Sequence, residues 1–210
     1  MREGAKMPDL IEGRPALIVV DVQKGDGGVA IPSMGGKAER LPRTLAVIAA
    51  AREAGVPVIF FQEAHRRTMV DFGRELDGVE DVHLLEGDAG TDLKDELDPR
   101  PDESIIVKRR YSGFFGTDFE ILLKGLKVDT LLLFGGLTDV CVHYTFVDSH
   151  QHDYYTRVIE DCCGGSTLAR HEAALDAMEY LQTGARRQSD EIIDALRRYA
   201  GVTRDQQVAV

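Results

Sequence analysis

Apolar residues gather along the chain in short uninterrupted runs, at residues 16–20, 58–61, 105–108, 130–134 and 157–159. Runs of this length are strand-sized, and because they are continuous rather than alternating they predict strands covered on both faces, as in parallel sheets. Segments with helical periodicity separate them. Residues 41–54 carry Leu41, Leu45, Ile48 and Ala49 at helix spacing and stop at Gly55, with Pro57 at the entrance to the next strand. Thr117, followed three residues later by Glu120, is a capping-box pattern that opens a helix over 118–126, whose Phe119, Leu122, Leu123 and Leu126 share a face. Residues 168–181 and 192–199 read as two further helices, with a weak sixth strand at 186–188 between them. Strands alternating with crossover helices predict an α/β fold, a three-layer α/β/α sandwich around a mainly parallel sheet of about six strands.

The irregular stretch from 66 to 101 is too long for an ordinary connection, and in α/β domains such loops often wall a functional site. Its acidic run, with Glu75, Asp77, Glu80 and Asp81, reads as a solvated face. No repeat, low-complexity tract or Pro/Gly/Ser linker divides the 210 residues, so residues 1–210 are expected to form a single domain.

Charge narrows the partners. Lys+Arg is 25 against Asp+Glu 36, a net charge of −11, so the chain lacks the basic surface that nucleic acid requires. No run approaches the roughly 18 to 20 apolar residues of a membrane span, and residues 1–14 carry no apolar signal segment, so the expected location is cytoplasmic. Three cysteines, Cys141, Cys162 and Cys163, are an odd number in a chain of this size and argue for reduced thiols rather than a disulfide scaffold.

In open parallel sheets ligands collect at the carboxyl ends of strands. Polar residues just after the apolar runs are therefore the candidates: Asp21 after the first, Lys108 closing the third, and Cys141 after the strand and turn at 131–140. A carboxylate beside a thiol can take its proton, while a nearby ammonium and the opening turn of a helix favour the thiolate. Gly135 and Gly136, in the turn before the cysteine, can leave backbone N–H groups free to face a developing oxyanion. These are the parts of covalent acyl transfer. Taken singly, each has a structural reading too: a cysteine in an apolar helix is commonly inert packing, and an aspartate at a strand end commonly caps a loop.

The segments ALIVVDVQ at 16–23, IIVKRRYSGFFGT at 105–117, LFGGLTDVCV at 133–142 and VIEDCC at 158–163, followed by His171, carry a resemblance that extends from Pro15 to about Leu196. In their order and spacing the chain resembles the isochorismatase-like cysteine hydrolases, a superfamily that includes nicotinamidases and N-carbamoylsarcosine, biuret and ureidoacrylate hydrolases. The resemblance implies a catalytic triad of Asp21, Lys108 and Cys141. It also implies a non-proline cis peptide between Gly136 and Leu137, and an oxyanion hole made by the amides of Leu137 and Cys141. Isochorismatases proper lack the cysteine, so the thiol at 141 directs the expectation to hydrolysis of a C–N bond in a small amide, ureido or carbamoyl compound.

Gln23, Tyr111 and Phe115 would line the pocket, and His65 with Arg66 would present a cation to an anionic or ureido oxygen. The reaction requires no organic cofactor. Nicotinamidases add a metal, and Glu63, His65, Asp71 and His83 are the corresponding candidate ligands for a divalent ion such as zinc or manganese; loop and substrate hydrogen bonding is the alternative use of the same residues. His143, His150 and His152 are expected at the surface or an interface, and Cys162 and Cys163 as buried, non-catalytic thiols. The resemblance further implies a homo-oligomer, and Tyr144, Phe146, Val147 and His150 point in too many directions to pack on one sheet face. Part of that surface is therefore expected to meet another chain, with burial under the helix at 192–199 as the alternative; a homodimer or homotetramer, the commonest closed assemblies, is expected. Two other functions stay open: a metal-assisted nicotinamidase-type amidase, and a non-catalytic ligand-binding member of the fold.

Overall fold

A computed structural model describes residues 9–25 and 33–208. Six parallel strands form one sheet: β1 (Pro15–Val20), β2 (Val58–Glu63), β3 (Ser104–Lys108), β4 (Thr130–Gly135), β5 (Tyr155–Ile159) and β6 (Arg186–Arg187), in the order β3-β2-β1-β4-β5-β6. Their helices are α1 (Lys37–Glu53), α2 (Phe119–Leu126), α3 (His143–Gln151), α4 (Leu168–Leu181) and α5 (Ser189–Val208). The strand order reverses at β1, so right-handed crossovers send α1 to one face and α2, α3 and α4 to the other, while α5, after the last strand, returns to the face of α1. Accordingly α1 packs on α5, and α3 packs on α4. This is the three-layer α/β/α arrangement.

Every residue of β1 and β4 is buried, as their unbroken apolar runs require. β3 departs from that pattern. It is an edge strand, and Ile105 and Val107 are each 45% exposed. α1 begins at Lys37, one turn earlier than the apolar spacing shows, because Lys37, Ala38, Glu39 and Arg40 form helix without contributing to an apolar stripe. At α2 the expected capping box does not form, because the helix starts one residue later with Asp118 at its N-cap. The Thr117 hydroxyl accepts the Phe119 N–H at 3.1 Å, whereas Glu120 turns outward to pair with Lys124. Among the described residues no helix is long and apolar enough to cross a membrane.

Gly135 closes β4 at φ +136°, where a Cβ would overlap the Val20 carbonyl oxygen. Only glycine lets β1 and β4 lie this close at their carboxyl ends, the point where the sheet changes direction.

Candidate active site

Four strand ends deliver the charged residues of the site. Asp21 follows β1 in the left-handed region (φ 51°), a conformation aspartate tolerates better than most residues. Glu63 ends β2, Lys108 ends β3, and Cys141 follows β4 within one π-helical turn, Thr138–Val142, that runs into α3. Lys108 is fully buried. Its Nζ lies 2.8 Å from Asp21 Oδ2, 3.1 Å from Glu63 Oε2, 3.1 Å from the Arg110 carbonyl oxygen and 3.4 Å from Cys141 Sγ. The Cys141 thiol in turn reaches Glu63 Oε2 at 3.6 Å.

The balance of charge in this cluster decides its protonation. Burial pushes Asp21 up to about 6, against the pull of Lys108 and with the push of Glu63. Burial also raises the Cys141 thiol well above its ordinary range; Lys108 favours the thiolate, but Asp21 and Glu63 oppose it. Lys108 remains an ammonium, because its burial is outweighed by Asp21, Cys141 and Glu63. The resting pair is therefore thiol and carboxylate, in contrast to the thiolate favoured by Lys108 and a helix N-terminus alone.

The turn carrying the cysteine is fixed from behind. The Gly136–Leu137 peptide is cis. Gly164 donates its N–H to the Gly135 carbonyl at 3.1 Å and accepts the Thr138 N–H at 3.0 Å. Asp139 accepts both the backbone N–H and the hydroxyl of Ser166, while Thr138 Oγ1 lies 2.8 Å from His171 Nδ1. Leu137 and Cys141 both border a cavity of about 160 Å³, with Asp21, Gln23, Tyr111 and Glu63 among its other walls.

Gln23 is buried and braces two elements: it donates to the Glu63 and Thr91 carbonyls at 2.9 and 2.6 Å and accepts the Glu63 N–H at 3.0 Å. Tyr111 lines the cavity. Phe115 does not; it follows the edge strand and is 66% exposed. Nor does Arg66 line it, since this exposed side chain pairs with Asp71 at 3.0 Å. His65 lies behind the cavity, fully buried and stacked on Phe72 with ring centroids 3.9 Å apart.

Behind Glu63 a second cluster forms, of Glu63, His65, Glu75 and His83, whose ligand atoms lie within 4.8 Å of one another. Glu75 belongs to the acidic run expected to be solvated, yet it is buried and Glu80 borders the cavity; Asp77 and Asp81 are exposed as expected. Phe72, the only aromatic residue of the 66–101 loop, sits three residues before Glu75 and is the sequence signal that this part of the loop turns inward. Asp71 stands outside the cluster, on the Nδ1 side of His65 at 3.8 Å, with its oxygens taken by Arg66.

Both imidazoles turn Nε2 toward the carboxylates. His65 Nε2 is 3.2 Å from Glu63 Oε1, and His83 Nε2 is 3.1 Å from Glu75 Oε1, while His83 Nδ1 is held at 2.6 Å by the Asp81 carbonyl. Outer-nitrogen hydrogen bonding of this kind, which His83 has and His65, with no hydrogen-bond partner at Nδ1, lacks, orients a histidine for metal ligation. Two imidazoles and two carboxylates therefore fit a zinc- or manganese-like cation. His150 and His152 form no such pair: His150 bonds Gln182 and His152 stacks on Phe114. Cys162 and Cys163 are buried free thiols, Cys162 pushed up to about 12 by burial.

Residues 15–191 match the isochorismatase domain family. The chain belongs to the isochorismatase family. Among curated relatives it is 34% identical to a ureidoacrylate amidohydrolase, RutB, of Pantoea ananatis, over 75% of this chain and 73% of that one. Among solved structures it is similar to an isochorismatase-like hydrolase from Alkaliphilus metalliredigens, with a TM-score of 0.77 and 29% identity over 87% of this chain and 99% of that one. It is also similar to the N-carbamoylsarcosine amidase of Thermoplasma acidophilum, with a TM-score of 0.73 and 26% identity over 85% and 98% of the two chains.

Proposed function

We propose that this isochorismatase-family hydrolase is a cysteine-dependent amidohydrolase that cleaves a C–N bond in a small amide or ureido compound. The observation that carries the reading is the meeting of Asp21, Lys108 and Cys141 around one buried ammonium at the edge of a cavity. A cavity of about 160 Å³ takes a ligand not much larger than benzene, which a cavity of roughly 150 Å³ accommodates. The similarity to a ureidoacrylate amidohydrolase and an N-carbamoylsarcosine amidase supports the same substrate class.

In this reading Asp21 takes the thiol proton as Cys141 Sγ attacks the carbonyl carbon, and the oxygen gains its negative charge facing the amides of Leu137 and Cys141. Lys108 holds Asp21 in place and offsets the charge of the two carboxylates. The C–N bond then breaks, Asp21 returns its proton to the departing nitrogen, and ammonia or a small amine leaves. Water, deprotonated by Asp21, attacks the acyl-enzyme, the thiol is restored, and the acid product departs.

The test is ammonia release from a panel of small amides and ureido acids. Cys141→Ala and Cys141→Ser are expected to fold and to lose at least about a hundredfold in turnover, whereas Cys162→Ser and Cys163→Ser retain most of it. Full turnover by Cys141→Ala excludes the mechanism.

A second reading rests on the Glu63, His65, Glu75 and His83 cluster, which suits a metal-assisted, nicotinamidase-type amidase. A cation held by these four would supply an electropositive anchor for a ring nitrogen or a bound water at the cavity wall. Metal content near one per chain in purified protein supports it; turnover unaffected by chelation and metal removal counts against it.

A further inference from the structure

The cavity is polarised. Glu63, Glu75 and Glu80 stand on one wall, joined by His83, while the opposite wall is one face of α1, made by Lys37, Arg40, Leu41 and Thr44 at helix spacing. Arg40 is half-buried there. Among the described residues no carboxylate or carbonyl is bonded to its guanidinium. Burial lowers its pKa, outweighing the opposing pull of Cys163 and of the exposed Glu39 beside it.

Two glycines make room for this side chain. A Cβ at Gly36 would lie 2.8 Å from Nη1, and one at Gly164 would lie 2.8 Å from Cζ. Gly164 is the residue whose backbone bonds to Gly135 and Thr138 across the nucleophile turn. The guanidinium thus lies against a chain segment one backbone spacing, roughly 4.8 Å, from the turn expected to face the oxyanion. A spacer of two or three carbons covers such a separation.

We propose that Arg40 anchors a substrate carboxylate, so that the compound hydrolysed is a ureido or amido acid whose anionic end points to α1. The inference rests on the amidohydrolase reading and names the substrate class for the same cavity. Three facts favour an anion at this wall. The planar fork of arginine matches a carboxylate with two parallel hydrogen bonds. Lys108, the other deeply placed cation, is already enclosed by Asp21 and Glu63. The acidic wall repels an anion and accepts hydrogen bonds from ureido N–H groups, which leaves one orientation: N–H donors toward Glu80 and Asp21, carboxylate toward Arg40. The cation expected at Arg66 is thereby supplied from a different element.

The test compares 3-ureidopropanoate with propylurea, which carries a methyl group where the first has its carboxylate. Binding to the inactive Cys141→Ala protein is measured by calorimetry, with and without Arg40→Gln, and ammonia release by otherwise unsubstituted protein and by Arg40→Gln. The anion is expected to bind at least about tenfold more tightly than propylurea, and Arg40→Gln to erase that preference. Arg40→Lys should restore part of it, because charge remains without the fork. Thermal melts of the Arg40 variants unchanged from the parent separate anchoring from folding. Equal binding of the two probes to the Cys141→Ala protein, including no binding of either, overturns the anchor, as does a preference that survives Arg40→Gln. If the preference is present and depends on Arg40 but neither probe nor any amide of the panel releases ammonia, the amidohydrolase reading fails while the anion site stands.

Discussion

Asp21 combines a left-handed backbone, near-complete burial and a 2.8 Å contact to a buried ammonium. In the mechanism proposed it must be ionised to act as base, and its pKa of about 6 sets where that happens. Activity therefore rises with pH through about 6, because protons occupy the base below that point; Lys108 stays charged and Cys141 stays a thiol across the neutral range. The measurement is kcat/KM between pH 4.5 and 8. Asp21→Asn should cut turnover at least about a hundredfold at neutral pH, and Lys108→Ala should also cut it, with unchanged circular dichroism in both. Near-normal ammonia release by either variant removes that residue from the mechanism. These positions are legible in the sequence because a charged residue directly after an apolar strand is anomalous. Glu75 and Arg40 are not. One lies in an acidic run and the other among polar helix residues, and in each case burial is decided by distant parts of the chain.

At the scale of elements, the site depends on how closely β1 and β4 approach. Gly135→Ala places a methyl group against the Val20 carbonyl, which cannot move without disturbing both strand ends. A destabilisation of about 3 kcal/mol is expected, a fall of roughly 6 to 12 °C in Tm for a chain of this length, together with loss of activity. Thermal melts beside turnover check it, and an unchanged Tm would show that the strand ends have slack. The runs of β1, β2 and β4 declare themselves because both faces are buried; β3 is read correctly as a strand but not as an edge, since Ile105 and Val107 look identical in sequence whether covered or exposed. The 66–101 loop forms three single 3₁₀ turns, Glu75–Asp77, Ala89–Thr91 and Asp95–Leu97. Its inward path has no periodic signature, and Gln23, paired with Leu93 in an isolated bridge, ties it to the site.

For the whole molecule, a net charge of −11 makes the cationic stretch of the cavity lining, Arg40 with Lys37 and Lys94, the local exception that an anionic substrate needs. Assembly is the other property at this scale. Phe146 proves to be core, which removes one of the four residues suggesting an interface, but Tyr144 is 55% exposed and packs on Tyr111 of the cavity wall at 5.5 Å between ring centroids. Self-association is the expected outcome, because exposed aromatics beside a site commonly mark contact surfaces. Light scattering at micromolar concentration should give a multiple of 23.2 kDa; a mass of one chain would mean that the cavity is built without a neighbour.

The account turns on a covalent bond to one sulfur. Mixing protein with 3-ureidopropanoate, quenching in acid within the first turnovers and mapping the digest by mass spectrometry tests it directly. The predicted result is a carbamoyl-type adduct on the peptide containing Cys141, absent from those containing Cys162 and Cys163 and absent after Cys141→Ala. Turnover with no adduct at Cys141, or with an adduct at Cys162 or Cys163 instead, would contradict it.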